Sequence, residues 1–216
     1  MDCRRRSDKE PMRSRAVFLD RDGILIEDTG YPTRVEELRI LPGAIEAVRE
    51  VNQAGFLALV VTNQSAVARG MIDETGLRAL HAFLTRRFNE GGARLDRIYY
   101  CPHHSEFGSL EYRLACSCRK PEPGLLLTAA EELSIDLSGS CMIGDRMSDI
   151  EAGHRAGCLT ILVDSGASKT GDKPVQDPSR RRPDYVARDL KRAVRWFTRY
   201  ARLTRPRAAN DCSERG

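Results

Sequence analysis

Two carboxylates two positions apart follow a short apolar run, and they are the first residues of this chain whose types and spacing suggest chemistry. Ala16–Leu19 has the pattern of a buried strand, and Asp20 and Asp22 come directly after it, with Gly23 behind them. Charge beside a sheet core is costly, so acidic residues placed there indicate a bound cation or covalent chemistry. A solvated turn is the alternative, because Asp and Gly are ordinary turn residues.

Polar residues also follow two later predicted strands. The segment 62–65 (Thr-Asn-Gln-Ser) ends the second strand, and Gly144, Asp145 and Asp149 follow a later one. In open α/β sheets the ligand sits outside the carboxyl ends of the strands, so we expect all these groups at one rim. Several carboxylates gathered there would raise one another's pKa unless a cation intervened. Oxygen ligands of this kind suit Mg²⁺.

Strands that alternate with helices predict the frame that positions these residues. Continuous apolar runs indicate strands buried on both faces, and apolar residues at helical spacing indicate amphipathic helices. The predicted strands are Ala16–Leu19, 56–61, 95–100, 140–143, 159–163 and an edge strand at 185–186. The predicted helices run from Pro42 to Gly55, over 73–89, 123–133 and 148–156, and onward from an Asp189 cap. This order predicts an α/β fold: a Rossmann-like parallel sheet with helices on both faces and no large cap domain.

The length and composition predict one soluble α/β domain. The chain has 216 residues, of which 41% are hydrophobic and 31% charged. No apolar run approaches the length of a membrane span and the N-terminus lacks a signal-peptide core, so we expect a cytoplasmic protein. We expect a disordered basic tail at residues 1–14, the folded domain at 15–202 with a metal-bound loop at 101–120, and a flexible tail at 203–216.

The irregular segment 101–123 combines cysteines with histidines. A structureless loop of this length is unusual in a compact domain unless something ties it down. Cys101-x-His103 and Cys116-x-Cys118 provide four soft ligands that can close a tetrahedron, which is the pattern of a structural Zn²⁺ site. Free cysteines beside a solvated histidine pair are the alternative.

The formal charge of +4 originates in the two ends of the chain. Residues 1–15 contain six basic and three acidic side chains and residues 178–216 contain twelve and four, which leaves residues 16–177 with a net charge of −7. A basic end can bind nucleic acid or an acidic membrane, but a solvated tail is the commoner explanation. We therefore expect no binding to nucleic acid or to a membrane. By default we also expect a monomer. A zinc-bearing nucleic-acid-binding module is the alternative from another class of protein.

Four motifs resemble those of the haloacid dehalogenase-like phosphohydrolases, in order and in spacing, over about residues 16–187. They are Phe18-Leu19-Asp20-Arg21-Asp22-Gly23, Val61-Thr62-Asn63-Gln64-Ser65, Arg119-Lys120-Pro121 and Gly144-Asp145-Arg146-Met147-Ser148-Asp149. The resemblance implies an Mg²⁺-dependent phosphatase that forms an aspartyl-phosphate.

The cysteine-rich loop gives a closer match. It is similar to the zinc loop of the D-glycero-D-manno-heptose 1,7-bisphosphate 7-phosphatases, which are related to the histidinol-phosphate phosphatases. Residues 28–31 and 62–70 fit the same subgroup. This implies hydrolysis of the 7-phosphate of a heptose 1,7-bisphosphate, in the cytoplasmic supply of ADP- or GDP-activated heptose for surface polysaccharide. Histidinol phosphate or another small phosphomonoester is the alternative substrate. The family pattern also favours His103 over His104 as the zinc ligand.

The resemblance implies a role for each reacting residue. Asp20 would attack phosphorus, and Asp22 would protonate the leaving oxygen and later deprotonate the hydrolytic water. Thr62 and Lys120 would cradle the transferring phosphoryl oxygens. The implied Mg²⁺ ligands are Asp20, the main-chain carbonyl of Asp22, and Asp145.

Substrate contacts are expected from residues beside these groups. Arg119 follows the last zinc ligand and could grip a second anionic group through its planar fork. The other candidates for substrate contacts are Asp28, Tyr31, Asn63, Gln64, Ser65 and Arg146. Asp149 is expected to orient its neighbours rather than to bind metal. The chain departs from the subgroup at Ile24, Ala66 and Ser105, none of which is a reacting group.

Overall fold

Six parallel strands form a sheet through the centre of the structure. The computed structural model describes residues 13–166 and 182–204. The strands are β1 (Ala16–Leu19), β2 (Leu57–Asn63), β3 (Arg97–Cys101), β4 (Cys141–Gly144), β5 (Leu159–Val163) and β6 (Tyr185–Ala187). They are ordered β3-β2-β1-β4-β5-β6. β1 therefore lies between β2 and β4, and the carboxyl ends of these three strands meet at one edge of the sheet.

Helices cover both faces of this sheet, as the sequence predicts. The described part of the chain contains α1 (Ala44–Gln53), α2 (Glu74–Glu90), α3 (Gly124–Glu132), α4 (Met147–Ala156) and α5 (Leu190–Leu203). Apolar side chains of α1, α2 and α5 share one core cluster, and those of α3 and α4 share a second cluster on the opposite face. All four side chains of β1 are buried, because both faces of a parallel sheet are covered.

Three elements have a boundary that lies two residues from the predicted position. β2 continues two residues past its predicted end at 61, because Thr62 and Asn63 still pair with β3. β3 begins at Arg97 rather than at 95, and the carboxylate of Asp96 instead accepts a hydrogen bond from the amide of Ala58. α1 begins at Ala44 rather than at Pro42, because Gly43 occupies the position before the helix in a left-handed conformation, at φ +81°.

The long connections hold little regular structure. Between β1 and α1 the chain forms loops around a short 3₁₀ turn, Val35–Glu37, which the sequence did not predict. Between β3 and α3 it forms turns and one isolated bridge, His104 to Arg113. Within residues 13–166 and 182–204 no large cap domain is inserted, so the rim of the sheet is bounded by loops. The search of those residues finds no helix with the length and apolar character of a membrane span.

The predicted tails lie mostly outside the described residues, which begin at 13 and end at 204. Within the described part, Ser14 pairs with Ile135, and α5 continues through Leu203. Ser14 and Leu203 each lie one position outside the predicted folded domain, 15–202. The domain boundaries otherwise stay a prediction.

Packing of α5 closes the larger core cluster. The ring of Phe197 is buried and lies 4.9 Å from the ring of Phe56, which precedes β2. Trp196 stacks between Tyr185 and Tyr200, with ring centroids 4.6 Å and 5.4 Å apart. The aromatic residues of α5 therefore contribute to packing.

This packing predicts a large effect of Phe197→Ala. Loss of a buried aromatic ring leaves a cavity, so we expect the free energy of unfolding to fall by about 3–5 kcal/mol. Urea denaturation measures it. Leu203→Ala on the same helix is the control: Leu203 is 77% exposed, and we expect a change within about 0.5 kcal/mol. Equal losses in both variants would contradict this account of the core.

Candidate active site

Three carboxylates meet where β1 and β4 end. Asp20 follows β1, Asp145 follows β4, and Asp149 lies in the first turn of α4. One oxygen from each lies within 4.8 Å of the others. Oδ1 of Asp145 is buried without a hydrogen-bond partner. A buried orphan oxygen between two other carboxylates is a donor set that fits a divalent cation.

Two glycines allow this close approach. Gly23 has φ +78°, and a Cβ there would lie 2.2 Å from Oδ2 of Asp145. A Cβ on Gly144 would lie 2.3 Å from the side chain of Asp149. Space therefore requires glycine at both positions, and at Gly23 the left-handed backbone requires it as well.

Electrostatic repulsion in this cluster is large. Burial, followed by the charges of Asp20 and Asp149, raises the pKa of Asp145 to about 7. Burial also raises the pKa of Asp149 to about 6, although Lys120 opposes the shift. Carboxyl groups that hold protons near neutral pH release them when a cation binds. The cluster is therefore poised for a metal.

A buried ammonium lies beside the carboxylates. Nζ of Lys120 is 3.0 Å from Oδ1 of Asp20 and 2.6 Å from Oδ1 of Asp149, and it donates to the carbonyl of Val61 at 2.8 Å. Burial alone would lower the pKa of Lys120, but Asp149 and Asp20 outweigh it and the pKa is raised. Lys120 therefore presents a fixed positive charge to any group held by Asp20.

Asn63 fixes the backbone of Lys120. Its Nδ2 donates to the carbonyl of Lys120 at 3.0 Å, and its Oδ1 accepts from the amide of Lys120 at 3.0 Å. The nitrogen and the oxygen of the Asn63 side-chain amide are therefore both used to hold Lys120. The side chain ties the end of β2 to the loop before α3, and the substrate contact predicted for it stays a prediction.

Asp22 points away from the carboxylate cluster. Its carboxylate accepts hydrogen bonds from Nε and Nη2 of Arg21 and from Nε2 of Gln64 at 3.0 Å. Nε2 of Gln64 also donates to Oγ1 of Thr62 at 2.8 Å. Burial raises the pKa of Asp22, while Arg21 opposes the shift. A carboxyl group with a raised pKa between fixed donors has the properties of a general acid.

An open cavity of about 350 Å³ lies over these groups. Its lining includes every residue that we predicted for catalysis or substrate contact: Asp20, Asp22, Asp28, Tyr31, Thr62, Asn63, Gln64, Ser65, Arg119, Lys120 and Arg146. Asp145 lies instead at the wall of a neighbouring cavity. Their roles stay predictions, but the fold brings the whole set together.

His104 and Ser148 also line this cavity, and neither was among the predicted site residues. Burial lowers the pKa of His104, and the nearby Arg119 adds to the shift. The ring of His104 faces the cavity. Ser148 stands inside the Gly144–Asp149 motif, and His104 directly follows a predicted zinc ligand. These positions in the sequence were the signal that could have identified both residues as part of the site.

Two arginines at the cavity are held by neighbouring groups. Nη2 of Arg146 lies 2.8 Å from Oδ2 of Asp28, which joins the loop after β4 to the loop after β1. Nη1 of Arg119 donates to the carbonyl of His103 at 3.0 Å. Arg119 is thus positioned by the cysteine-rich loop.

The four predicted zinc ligands lie together. The sulfurs of Cys101, Cys116 and Cys118 are 3.2–3.5 Å apart, and Nδ1 of His103 is 3.3 Å from Cys118. The cysteines are free thiols. The hydrogen bond between Cys118 and Cys101 lowers the pKa of Cys118 to about 5. Three sulfurs and one imidazole nitrogen fit a tetrahedral Zn²⁺ site.

Known proteins with similar sequences decide the family. Residues 117–193 match the HAD-hydrolase-like family model. The D-glycero-beta-D-manno-heptose-1,7-bisphosphate 7-phosphatase of Pasteurella multocida is 41% identical over 177 residues, which are 82% of this chain and 92% of that protein. The protein of the same name from Rhodopseudomonas palustris is 46% identical over 146 residues, 67% of this chain and 81% of its own. The chain belongs to this phosphatase family.

Solved structures agree with the family. A D,D-heptose 1,7-bisphosphate phosphatase from B. bronchiseptica, complexed with magnesium and phosphate, matches with a TM-score of 0.73 and 30% identity, over 86% of this chain and 99% of that one. A putative HAD-like phosphatase from Mesorhizobium loti matches with a TM-score of 0.75 and 30% identity, over 92% and 91%. The resemblance read from the four motifs is confirmed, and the chain is a phosphoric monoester hydrolase of the heptose bisphosphatase family.

The raised pKa of Asp145 predicts that Mg²⁺ binding depends on pH. Because the folded-state pKa of about 7 lies above the unfolded value of 3.8, the metal-free protein loses stability from this group as the pH rises through about 7. Mg²⁺ relieves that loss, so we expect it to raise the Tm more at about pH 8 than at about pH 5.5.

Thermal denaturation with and without Mg²⁺ measures this difference. Asp145→Asn should reduce the effect of Mg²⁺ at both pH values. If Mg²⁺ raised the Tm of the wild-type protein at the lower pH by as much as at the higher pH, or by more, the proposed cluster would be contradicted.

Proposed function

We propose that this enzyme hydrolyses the 7-phosphate of D-glycero-D-manno-heptose 1,7-bisphosphate, as a step in ADP- or GDP-heptose precursor synthesis. The observation that carries the proposal is the pairing of Asp20 with Lys120 and of Asp22 with Arg21 and Gln64 in one cavity. This supplies a nucleophile beside a fixed cation and, separately, a carboxyl group with a raised pKa. The names of the relatives support the substrate.

In the first half-reaction Asp20 attacks phosphorus and the bond to the sugar oxygen breaks. The leaving oxygen takes the electron pair and receives a proton from Asp22, the carboxyl group whose pKa burial raises. Nζ of Lys120 and Oγ1 of Thr62 lie on the rim from which they can contact phosphoryl oxygens. The product is an aspartyl-phosphate on Asp20.

In the second half-reaction water attacks the phosphorus of the aspartyl-phosphate. Asp22, now ionised, takes a proton from that water, and the bond between phosphorus and Asp20 breaks to release inorganic phosphate. One carboxyl group thus serves as acid and then as base, so both residues return to their starting states.

The residues that would hold Mg²⁺ are Asp20, Asp145 and the main-chain carbonyl of Asp22. Asp149 already contacts Nζ of Lys120 and the amide of Arg146 at 3.0 Å, which fits the orienting role predicted for it. Bound Mg²⁺ would neutralise negative charge between an anionic nucleophile and an anionic phosphate.

The cysteine-rich loop would form the distal side of the substrate site. With Zn²⁺ on Cys101, His103, Cys116 and Cys118, the loop would hold Arg119 against the carbonyl of His103. The guanidinium would then face the end of the cavity opposite the reacting phosphate and could bind a second phosphate. We further propose a cytoplasmic monomer without nucleic-acid or membrane partners.

A substrate panel tests this proposal. We expect kcat/KM for heptose 1,7-bisphosphate to exceed that for heptose 7-phosphate and for histidinol phosphate, because Arg119 can bind a second phosphate. Asp20→Asn keeps the shape of the nucleophile but removes its charge, and we expect kcat to fall by more than about a thousandfold. A preference for histidinol phosphate would show that the proposed substrate is wrong. Turnover retained by Asp20→Asn would refute the mechanism.

The Zn²⁺ site predicts about one zinc per chain in protein purified without chelator. Cys118→Ser should lower the zinc content and reduce kcat/KM for the bisphosphate, because Arg119 and Lys120 directly follow this ligand. Cys158→Ala, at a buried thiol directly before β5, is the control and should keep the zinc. Metal analysis and kinetics measure both, and zinc-free wild-type protein would contradict the site.

A further inference from the structure

An arginine and a histidine are buried together behind Asp22. Arg21 is 1% exposed, and its Nη2 donates to Oδ1 of Asp22 at 2.9 Å. On the other side, Nη1 of Arg21 lies 3.3 Å from Nε2 of His81, a residue of α2 that is 7% exposed. The backbone amide of Arg21 also donates to Oδ1 of Asp20 at 2.7 Å. The two half-reactions described above give no role to His81.

The direction of the hydrogen bond between Arg21 and His81 follows from their chemistry. A guanidinium has donors and no acceptor, so Nε2 of His81 must accept and the ring must be neutral, with its proton on Nδ1. Burial, together with the charge of Arg21, lowers the pKa of His81 to about 3. The ring therefore stays neutral at neutral pH.

The histidine ring is itself held in place. The ring of Tyr100 lies 5.5 Å from it, and the hydroxyl of Tyr100 donates to Glu74 at 2.7 Å. The carbonyl of His81 accepts from Oγ1 of Thr85 at 3.0 Å. The acceptor offered to Arg21 therefore lies on α2 and packs against the ring of Tyr100 on β3.

The two ends of the guanidinium have different partners. Nε and Nη2 grip the carboxylate of Asp22, and Nη1 is tied to α2. Without an acceptor at His81, a buried N–H of Arg21 would lack a partner, and the guanidinium would rotate toward other oxygens. Rotation of its plane would turn the carboxyl group of Asp22 with it.

We propose that His81 is a positioning residue for the acid/base step. By accepting from Nη1 of Arg21 it fixes the plane of the guanidinium, and the guanidinium fixes the orientation in which Asp22 passes its proton to the leaving oxygen. This inference rests on the proposed function, in which Asp22 is the general acid.

The proposed role of His81 can be tested with two leaving groups that differ in their need for a proton. An alkyl oxygen must be protonated as its bond to phosphorus breaks, whereas p-nitrophenolate departs as a stable anion without a proton. The value of kcat/KM reports only the steps through formation of the aspartyl-phosphate. The ratio of kcat/KM for a sugar phosphate to kcat/KM for p-nitrophenyl phosphate therefore isolates proton donation by Asp22.

We expect His81→Leu, in the Mg²⁺-loaded enzyme, to lower kcat/KM for the sugar phosphate by at least about tenfold and to leave the value for p-nitrophenyl phosphate within about twofold. His81→Gln, whose Oε1 can accept from Arg21, should restore the ratio. Tyr100→Phe keeps the ring beside His81 and is the control, with a ratio equal to that of the wild type. Equal losses on both substrates, or no change in the ratio, would overturn the proposal.

A spectroscopic measurement on the wild-type enzyme does not depend on the folding of a variant. The ¹⁵N shifts of the His81 ring should show a neutral ring with its proton on Nδ1 that does not titrate. A proton on Nε2 or an imidazolium would overturn the proposal. If instead the wild-type enzyme releases no phosphate from any sugar phosphate, the proposed function fails while the hydrogen-bond prediction for His81 can still be checked.

Discussion

The site depends on one buried ammonium shared by two carboxylates. Nζ of Lys120 contacts Asp20 and Asp149, and a third carboxylate, Asp145, lies within reach of both. When ionised, three carboxylates beside one cation carry more negative charge than the cation balances, and their burial makes that charge costly. Removal of a partner from a buried pair costs about 3–5 kcal/mol, because the remaining charge is left uncompensated. The same imbalance makes the cluster a site for a divalent cation, so the interaction that organises the carboxylates also prepares them for Mg²⁺.

The sheet explains why these groups meet. β1 is central, and its neighbours β2 and β4 deliver Thr62 and Asp145 on either side of Asp20. Lys120 comes from a loop rather than from a strand, and two features fix it: the amide of Asn63 holds its backbone, and its Nζ donates to the carbonyl of Val61. The buried ammonium of Lys120 is therefore tied to the same strand that carries Thr62. The charged groups of the cluster are thus anchored to the ends of β1, β2 and β4, and loops surround them.

The sequence predicts the parts of this structure that depend on local pattern. Apolar runs identified all six strands to within two residues, and the four motifs identified the residues around the cavity. Contacts between residues far apart in the chain were not accessible in this way. The bond between Arg21 and His81 spans 60 positions, and neither residue stands out, because an arginine in a turn and a histidine on a helix are normally solvated. The need for glycine at 23 and 144 became clear once the approach of Asp145 and Asp149 was seen.

The central claim is that Asp20 forms a covalent bond to phosphorus, and the stereochemistry at phosphorus tests it most directly. A sugar phosphorothioate made chiral with two oxygen isotopes is hydrolysed in water enriched in the third, and the configuration of the released thiophosphate is determined. Attack by Asp20 followed by attack of water inverts the centre twice, so the account predicts net retention. Net inversion would show that water attacks the substrate directly and would contradict the role of Asp20.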